Sequence, residues 1–262
     1  MRLEVISKKP DGNSRSTPLL FVHGAYHGAW CWENFLPFFA NHGYEAHAVS
    51  LRGHGGSDGY EHIQSFRITD YIADMEEVAG KLSSPPVLIG HSMGGYVIQK
   101  YLERYAAPAA ILLATVPVSG FMKMLVRTGM RHPWQALKLH VTRNMFALIE
   151  KPSLAREALF SADIPPETLH RHFMRLRNES YRVGQEGTFY DLPHPDKMIP
   201  IPMLIMGAVD DALFSCREIE ETARTYNTRA EFFPNMAHDM MLEADWQKVA
   251  MRILEWLREQ GL

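Results

Sequence analysis

The fold of this 262-residue chain is indicated most strongly by one stretch, Val87-Leu88-Ile89-Gly90-His91-Ser92-Met93-Gly94-Gly95. Its first three residues are apolar and predict a buried strand, which ends at Gly90 and runs into a helix predicted from Met93 to Arg104. Gly90 and Gly94 have no Cβ atom, so a strand and a helix can close up in a sharp turn around Ser92. A G-x-S-x-G pattern in this context lifts the serine hydroxyl above the carboxyl end of a sheet. We therefore predict that Ser92 is a nucleophile, against the alternative of an ordinary glycine-rich turn.

Short apolar runs alternate with helical patterns on both sides of this turn. The predicted strands lie at 19–22, 44–51, 86–89, 110–116, 202–206 and 230–233. The predicted helices lie at 32–40, 68–82, 93–104, 217–226 and 246–257. The strands are apolar throughout, which is typical of a parallel sheet covered on both faces. The sequence thus predicts an α/β protein with a mostly parallel central sheet flanked by helices.

The stretch between about residues 121 and 197 interrupts this alternation. It contains several amphipathic helical patterns with no clear strand between them, and it is rich in methionine and in basic residues. We predict a core domain formed by residues 1–120 and 198–262, with a helical cap at 121–197 that covers one end of the sheet. The alternative is that these helices only enlarge the core.

Composition narrows the classes of function. The chain has 27 Lys and Arg against 30 Asp and Glu, and its net charge of −3 argues against a surface that binds nucleic acid. Two cysteines, Cys31 and Cys216, are too few for a disulfide framework or a cysteine-built zinc site. No apolar run approaches the roughly 20 residues of a membrane span, and the N-terminus lacks a secretory pattern. We expect a cytoplasmic protein without a membrane span, and a homodimer is left open.

The partners of Ser92 are predicted from their order along the chain. A serine nucleophile needs a histidine base and a carboxylate that orients this base. In strand–turn–helix hydrolases the order is Ser, then Asp or Glu, then His. His238 is the only histidine between the strand at 230–233 and the last helix. Two aspartates follow the strand at 202–206, and we prefer Asp211 to Asp210 because an apolar pair and a turn residue follow it.

Two main-chain N–H groups are predicted to form an oxyanion hole. One belongs to Met93, the residue after the nucleophile, and the other comes from the loop after an earlier strand, where Ala25 is the best candidate. Fixed donors stabilise the negative charge that develops on a carbonyl oxygen during acyl transfer. His27 lies further along this loop and is a candidate for the pocket lining. A metal pair of His23 and His27 lacks a third ligand, so we expect no metal.

Apolar side chains of the predicted cap are candidates for a substrate pocket. Met122, Trp134 and Phe146 are the preferred candidates, and Phe121, Met124, Met145, Phe160 and Phe173 are further ones. Such a lining would suit a hydrophobic acyl or aryl ester. The alternative for each of them is plain helix packing.

Together these residues resemble the α/β-hydrolase superfamily over nearly the whole chain. The resemblance rests on His23-Gly24, Arg52-Gly53-His54-Gly55 ahead of Ser57-Asp58, Gly90-x-Ser92-x-Gly94, Asp211 and His238. The segment from Val22 to Trp32, VHGAYHGAWCW, is similar to the methylesterase and hydroxynitrile lyase branch. The resemblance implies a helical cap between the sixth and seventh strands, a Ser-His-Asp triad, no cofactor, and hydrolysis of carboxylic esters.

Two departures from the lyase pattern favour an esterase. Hydroxynitrile lyases of this branch carry a threonine where Gly24 stands and a lysine just after the catalytic histidine, where this chain has Asp239. Epoxide hydrolases and haloalkane dehalogenases of the superfamily need an aspartate nucleophile, which Ser92 excludes. We predict cleavage of small to medium hydrophobic esters, with a small-molecule ester as the partner. Two alternatives stay open: a carbon–carbon bond hydrolase with the same triad, and a small-molecule receptor that hydrolyses slowly.

Overall fold

The computed structural model describes residues 1–12 and 15–262. Its sheet has the strand order β1-β3-β2-β4-β5-β6-β7. The strands are β1 (Val5–Lys8), β2 (Leu19–Val22), β3 (Ala46–Val49), β4 (Val87–His91), β5 (Ala110–Leu113), β6 (Met203–Ala208) and β7 (Ala230–Phe233). Every neighbouring pair is parallel except β1 with β3, which is antiparallel. The predicted α/β class with a mostly parallel sheet is confirmed.

Helices connect the strands and cover the sheet. The α-helices are α1 (Phe35–Asn41), α2 (Ile68–Ala79), α3 (Met93–Leu102), α4 (Met122–Arg131), α5 (Pro133–Thr142), α6 (Pro152–Leu159), α7 (Pro166–Phe173), α8 (Tyr181–Gln185), α9 (Cys216–Thr225) and α10 (Trp246–Glu259). Short 3₁₀ helices lie at Ala29–Trp32, Tyr60–Ser65, Met145–Leu148 and Pro195–Lys197, and a π-helix lies at Glu186–Tyr190. Within residues 1–12 and 15–262, no helix combines the length and the apolar character that crossing a bilayer requires.

Strand β2 shows why its sequence is apolar at every position. Successive side chains of a strand point to opposite faces of the sheet. Leu19 and Phe21 therefore belong to one buried apolar cluster, while Leu20 and Val22 belong to a second cluster. All four side chains are fully buried. Helices cover both faces of the sheet, and this leaves its carboxyl-terminal edge as the place where loops can form a site.

Strand β1 is the element that the sequence did not predict. It is an edge strand that pairs only with β3, and its side chains are mostly exposed. A short strand with one partner and one solvent-facing side does not need the continuous apolar run that marks the central strands. Glu4, the residue before it, is nevertheless tied to the loop after β3, since its carboxylate accepts hydrogen bonds from Ser50 Oγ (2.6 Å) and Gly56 N (2.9 Å).

Helices α4 to α8 lie in the segment between β5 and β6, which we call the helical segment (residues 121–197). The family resemblance implied an insertion between the sixth and seventh strands. In the sheet described here the segment comes one strand earlier, because the described residues supply only five strands before it.

Two buried carboxylates tie the end of this segment to the core. Glu179 accepts a hydrogen bond from Tyr71 Oη (2.7 Å) and lies 3.0 Å from His54 Nε2. Glu186 accepts from Arg67 Nε (2.6 Å) and from the N–H of Ile68 (2.8 Å), where α2 begins.

Candidate active site

Ser92 lies in a strained turn between β4 and α3. Its backbone angles are φ 51° and ψ −115°, a positive-φ region that costs a non-glycine residue energy. The turn is fixed by main-chain hydrogen bonds from Ser92 N to Leu113 O (3.0 Å) and from Tyr96 N and Val116 N to Ser92 O (3.2 Å each). Strained residues of this kind persist where the surroundings hold them, and they concentrate at functional sites.

The glycines around Ser92 are required by close contacts between main chains. A Cβ atom on Gly94 would lie 2.3 Å from Val22 O, and one on Gly90 would lie 2.7 Å from the carbonyl carbon of Gly94. A Cβ atom on Gly24 would lie only 3.0 Å from Ser92 Cβ, so the loop after β2 runs directly against the serine. These contacts bring the nucleophile turn and the predicted oxyanion loop together.

His238 lies in the loop after β7 and is paired with Asp211. The distance from His238 Nδ1 to Asp211 Oδ2 is 2.8 Å, and both side chains are buried. The other oxygen of Asp211, Oδ1, accepts from the N–H groups of Leu213 (2.7 Å) and Phe214 (3.0 Å). Asp210, the alternative acid, is exposed. The geometry therefore places the preferred aspartate against the imidazole and leaves Asp210 in solvent.

Asp211 determines the charge properties of His238. Burial alone would lower the pKa of His238, but the charge of Asp211 and its hydrogen bond outweigh burial, so this pKa is raised. Because Nδ1 donates to the carboxylate, Nε2 is the nitrogen left to take a proton. His238 and Ser92 line the same cavity.

The peptide unit between Gly24 and Ala25 is held from its carbonyl side. Gly24 O accepts from His23 Nδ1 (2.8 Å) and from the N–H of His27 (3.4 Å). His23 Nε2 accepts from Leu51 N (3.0 Å), and burial keeps the pKa of His23 well below its usual range, so its Nδ1 carries the hydrogen. Since the C=O and N–H of one planar peptide point in opposite directions, these contacts fix the direction of the Ala25 N–H.

Both predicted oxyanion donors are unused by the protein. In the part of the chain that the structure describes, no backbone or side-chain acceptor takes the N–H of Ala25 or of Met93. Met93 is the first residue of α3, where helix geometry leaves N–H groups without intrahelical partners. Its side chain is buried in the core, so only its main chain is available to a substrate.

A cavity opens beside Ser92. Its apolar lining comes from the helical segment and from the loops at the sheet edge, namely Ala25, Tyr26, Phe121, Met124, Met145, Leu148, Ile149, Leu154, Ala158, Leu159, Ala212, Leu213 and Phe214. Its polar lining comprises His27, His91, Ser92, His238 and Asp239, together with Arg127, Thr128, Arg131, His132 and Glu157 from the helical segment. The reactive groups thus share one chamber with a largely apolar wall.

The predicted pocket residues divide into two groups. His27 lines the cavity, as do Phe121, Met124 and Met145 among the further candidates. Three preferred candidates need correction: Met122 and Trp134 lie on the outer surface with 40% and 70% of their area exposed, and Phe146 packs between the rings of Tyr26 and Phe173. For Met122 the physical reason is its position around the helix. Two residues along a helix turn a side chain by about 200°, so Met124 faces inward where Met122 faces out.

Sequence reasoning missed two buried groups at the site, Asp239 and His91. Asp239 Oδ2 lies 3.0 Å from His27 Nε2, and His91 Nε2 donates to the carbonyl oxygen of His238 at 2.9 Å. The available signal was a carboxylate directly after the predicted base, where the similar lyases carry a lysine. His91, His238 and Asp239 each offer a ligand atom within 4.8 Å of the others.

Comparison with known proteins agrees with this architecture. A non-heme haloperoxidase from Rhodococcus erythropolis is 26% identical over 246 residues, which cover 85% of this chain and 86% of that protein. Epoxide hydrolase 3 from Xenopus tropicalis is 30% identical over an alignment of 281 positions, covering 96% of this chain and 74% of that protein. The solved structure of a thermophilic esterase from Thermogutta terrifontis matches with a TM-score of 0.76 at 19% identity, covering 99% of this chain and 94% of that one. A model of the alpha/beta hydrolase family matches residues 19–252, and the chain therefore belongs to that family.

Proposed function

We propose that this protein is a serine hydrolase that cleaves carboxylic esters with hydrophobic substituents. One observation carries the proposal: a serine in a positive-φ strand–helix turn lines the same cavity as a histidine whose Nδ1 is 2.8 Å from a buried carboxylate. Serine hydroxyls are weak nucleophiles unless a base takes their proton, and this arrangement supplies the base and the group that orients it.

The reaction begins with formation of an acyl-enzyme. His238 Nε2 accepts the proton of Ser92 Oγ while the oxygen attacks the ester carbonyl. The N–H groups of Ala25 and Met93 stabilise the resulting oxyanion, and Asp211 stabilises the imidazolium. The tetrahedral intermediate collapses, and His238 passes the proton to the departing alcohol. Water, activated by the same histidine, then cleaves the acyl-enzyme and releases the acid.

The helical segment (residues 121–197) is proposed to act as a cap over a core of residues 1–120 and 198–262. Its contribution to the cavity is mainly apolar, which suits hydrophobic acyl or alcohol groups on either side of the ester. We therefore infer small to medium hydrophobic esters as the substrate class.

The residues at the turn and after the base separate this proposal from two other activities of the superfamily. Within the superfamily an epoxide hydrolase needs an aspartate nucleophile, and this chain has Ser92 at the turn. Hydroxynitrile lyases of the resembling branch need a cationic residue after the base, and this chain has Asp239. Serine at the turn together with an acid after the base favours acyl transfer to water.

The test is hydrolysis of p-nitrophenyl butyrate by the purified protein and by Ser92→Ala. We expect turnover by the wild type and a loss of roughly a millionfold in kcat for the variant, with the melting temperature nearly unchanged. A fluorophosphonate probe should label the wild type on the peptide that contains Ser92.

Three results would contradict the proposal. An unchanged rate in Ser92→Ala would remove the nucleophile assignment. Tight binding of esters without turnover or labelling would instead indicate a receptor. Cleavage of a ring-cleavage diketone in preference to esters would favour the carbon–carbon hydrolase.

A further inference from the structure

A buried histidine–carboxylate pair lies next to the proposed triad without belonging to it. His27 Nε2 is 3.0 Å from Asp239 Oδ2, and the two side chains are 1% and 0% exposed. His27 Nδ1 lies 2.7 Å from the carbonyl oxygen of Ala25. Both ring nitrogens of His27 therefore face oxygen atoms. The ring is held between a carboxylate and a main-chain carbonyl.

A carboxylate at this depth is costly unless it is paired. Burial raises the pKa of Asp239, but the charge and hydrogen bond of His27, with smaller contributions from His91 and His238, bring it below its usual range. Removal of one partner from such a pair leaves an uncompensated buried charge, while replacing both partners by neutral groups is often tolerated. The pair is therefore a sensitive connection between the parts of the chain that carry it.

Those parts are two loops whose relative position matters for the proposed chemistry. Asp239 directly follows His238, and its N–H donates to Leu159 O (2.8 Å) at the end of α6. His27 lies two residues beyond Ala25 and holds the carbonyl of Ala25 directly. The pair thus joins the loop that carries the base to the loop that carries an oxyanion donor.

His91, the residue before the nucleophile, lies against both His238 and Asp239. His91 Nε2 donates to the His238 carbonyl (2.9 Å) and lies 3.7 Å from Asp239 Oδ1. Burial and the neighbouring His238 lower the pKa of His91 to about 3, so its ring is neutral. Asp239 therefore faces the rings of His27 and His91 at the meeting point of three loops.

We propose that Asp239 and His27 are positioning residues that hold the Ala25 N–H in the correct position relative to His238 and Ser92. This inference rests on the serine hydrolase function proposed above. The pair touches no reacting atom in the mechanism and acts through the direction of the oxyanion donor. It also explains an acid after the base, where the similar lyases carry lysine.

The primary test is Asp239→Asn, which keeps the shape of the side chain and removes its charge. A small displacement of a donor is costly in catalysis, so kcat should fall roughly 10- to 100-fold, with little change in KM. A trifluoromethyl ketone inhibitor provides the diagnostic readout, because its adduct with Ser92 places an oxyanion in the hole. Its inhibition constant should rise by the same factor by which kcat/KM falls.

The matched control is a buried histidine–carboxylate pair outside the proposed site, His54 and Glu179, which are 3.0 Å apart and nearly unexposed. Glu179→Gln should lower the melting temperature to a similar extent and leave kcat and ketone inhibition nearly unchanged. His27→Gln is the second single variant, in case Asp239→Asn does not fold. The double variant His27→Gln/Asp239→Asn should lose no more activity than the worse single variant, because the partners act as a unit.

Two outcomes separate this inference from the proposed function. If Asp239→Asn and His27→Gln keep wild-type kcat and ketone inhibition, or lose them only as much as Glu179→Gln does, the pair is structural and the positioning role is overturned. If the wild type does not hydrolyse esters, or Ser92→Ala retains the activity, the failure lies in the proposed function.

Discussion

The edge of the sheet around Ser92 and the helical segment between β5 and β6 are organised by different physical constraints. At the sheet edge, main chains approach each other so closely that a Cβ on Gly94 would lie 2.3 Å from a carbonyl oxygen. In the helical segment, the nearest atom to a Cβ on Gly129 would be 3.8 Å away, and Met130 and Trp134 expose 74% and 70% of their area. The sheet edge therefore tolerates few residue types, while the exposed sides of α4 and α5 tolerate many. We infer that residues at the sheet edge determine the reaction, while residues of the helical segment determine which substrate is accepted.

The largest effect that would test this comparison is expected at the acid of the proposed triad. Asp211→Asn should lower kcat about ten-thousandfold, because an amide in place of the carboxylate no longer holds the required imidazole tautomer. Asp210→Asn, one residue away and exposed, should change kcat by less than about twofold, as surface changes usually do. Steady-state kinetics on p-nitrophenyl butyrate measures both variants, and a greater loss at position 210 would reverse the assignment.

The pH profile of the same variant gives an independent check. Asp211 raises the pKa of His238 above its ordinary value of 6.5. His238 must be unprotonated to act as a base, so kcat/KM of the wild type should fall as the pH drops through a midpoint above this value. Loss of the Asp211 charge should move the midpoint to lower pH. An unchanged midpoint in Asp211→Asn would mean that another group controls the acid limb.

A second prediction compares two glycines, one from each region. Gly94→Ala should lower the free energy of unfolding by about 1–3 kcal/mol or more, because the added methyl group overpacks against the Val22 and His23 carbonyls. Gly129→Ala, in the last turn of α4, should raise it by about 0.5–1 kcal/mol by stiffening the helix. Denaturant melts measure both. Equal and small effects would show that the sheet edge can relax, and the contrast drawn above would not hold.

The sequence was most informative where one residue type is required at one place. The strands β2, β4 and β5 were predicted from their unbroken apolar runs, because both faces of a central strand are buried. Gly90 and Gly94 marked the turn at Ser92, since only glycine fits between main chains that are this close. The chain order and the short loop lengths then led to Asp211 and His238, which the structure places 2.8 Å apart.

Features that depend on packing between distant segments were not predictable. Strand β1 has one partner and an exposed side, so no apolar run marks it. Met122 and Met124 are equally apolar, and only the packed position of α4 decides which one faces the cavity. The pairing of His27 with Asp239 spans 212 positions in the chain, and neither residue carries a local signal of its partner.

The smallest effect is expected from the helical segment, where two methionines of α4 can be compared directly. Met124→Trp adds bulk to the cavity wall, and since one extra methylene in a fitted pocket already costs about tenfold or more, kcat/KM for p-nitrophenyl butyrate should fall by at least that factor. Met122→Trp makes the same change on the exposed side of the helix and should leave kcat/KM within about twofold, as an ordinary surface substitution does.

The loss in Met124→Trp should shrink for the acetate ester, because a shorter acyl group needs less of the chamber. Equal losses in the two variants, or a loss that does not depend on acyl length, would mean that α4 acts through the stability of the fold, and the assignment of substrate choice to the helical segment would then fail.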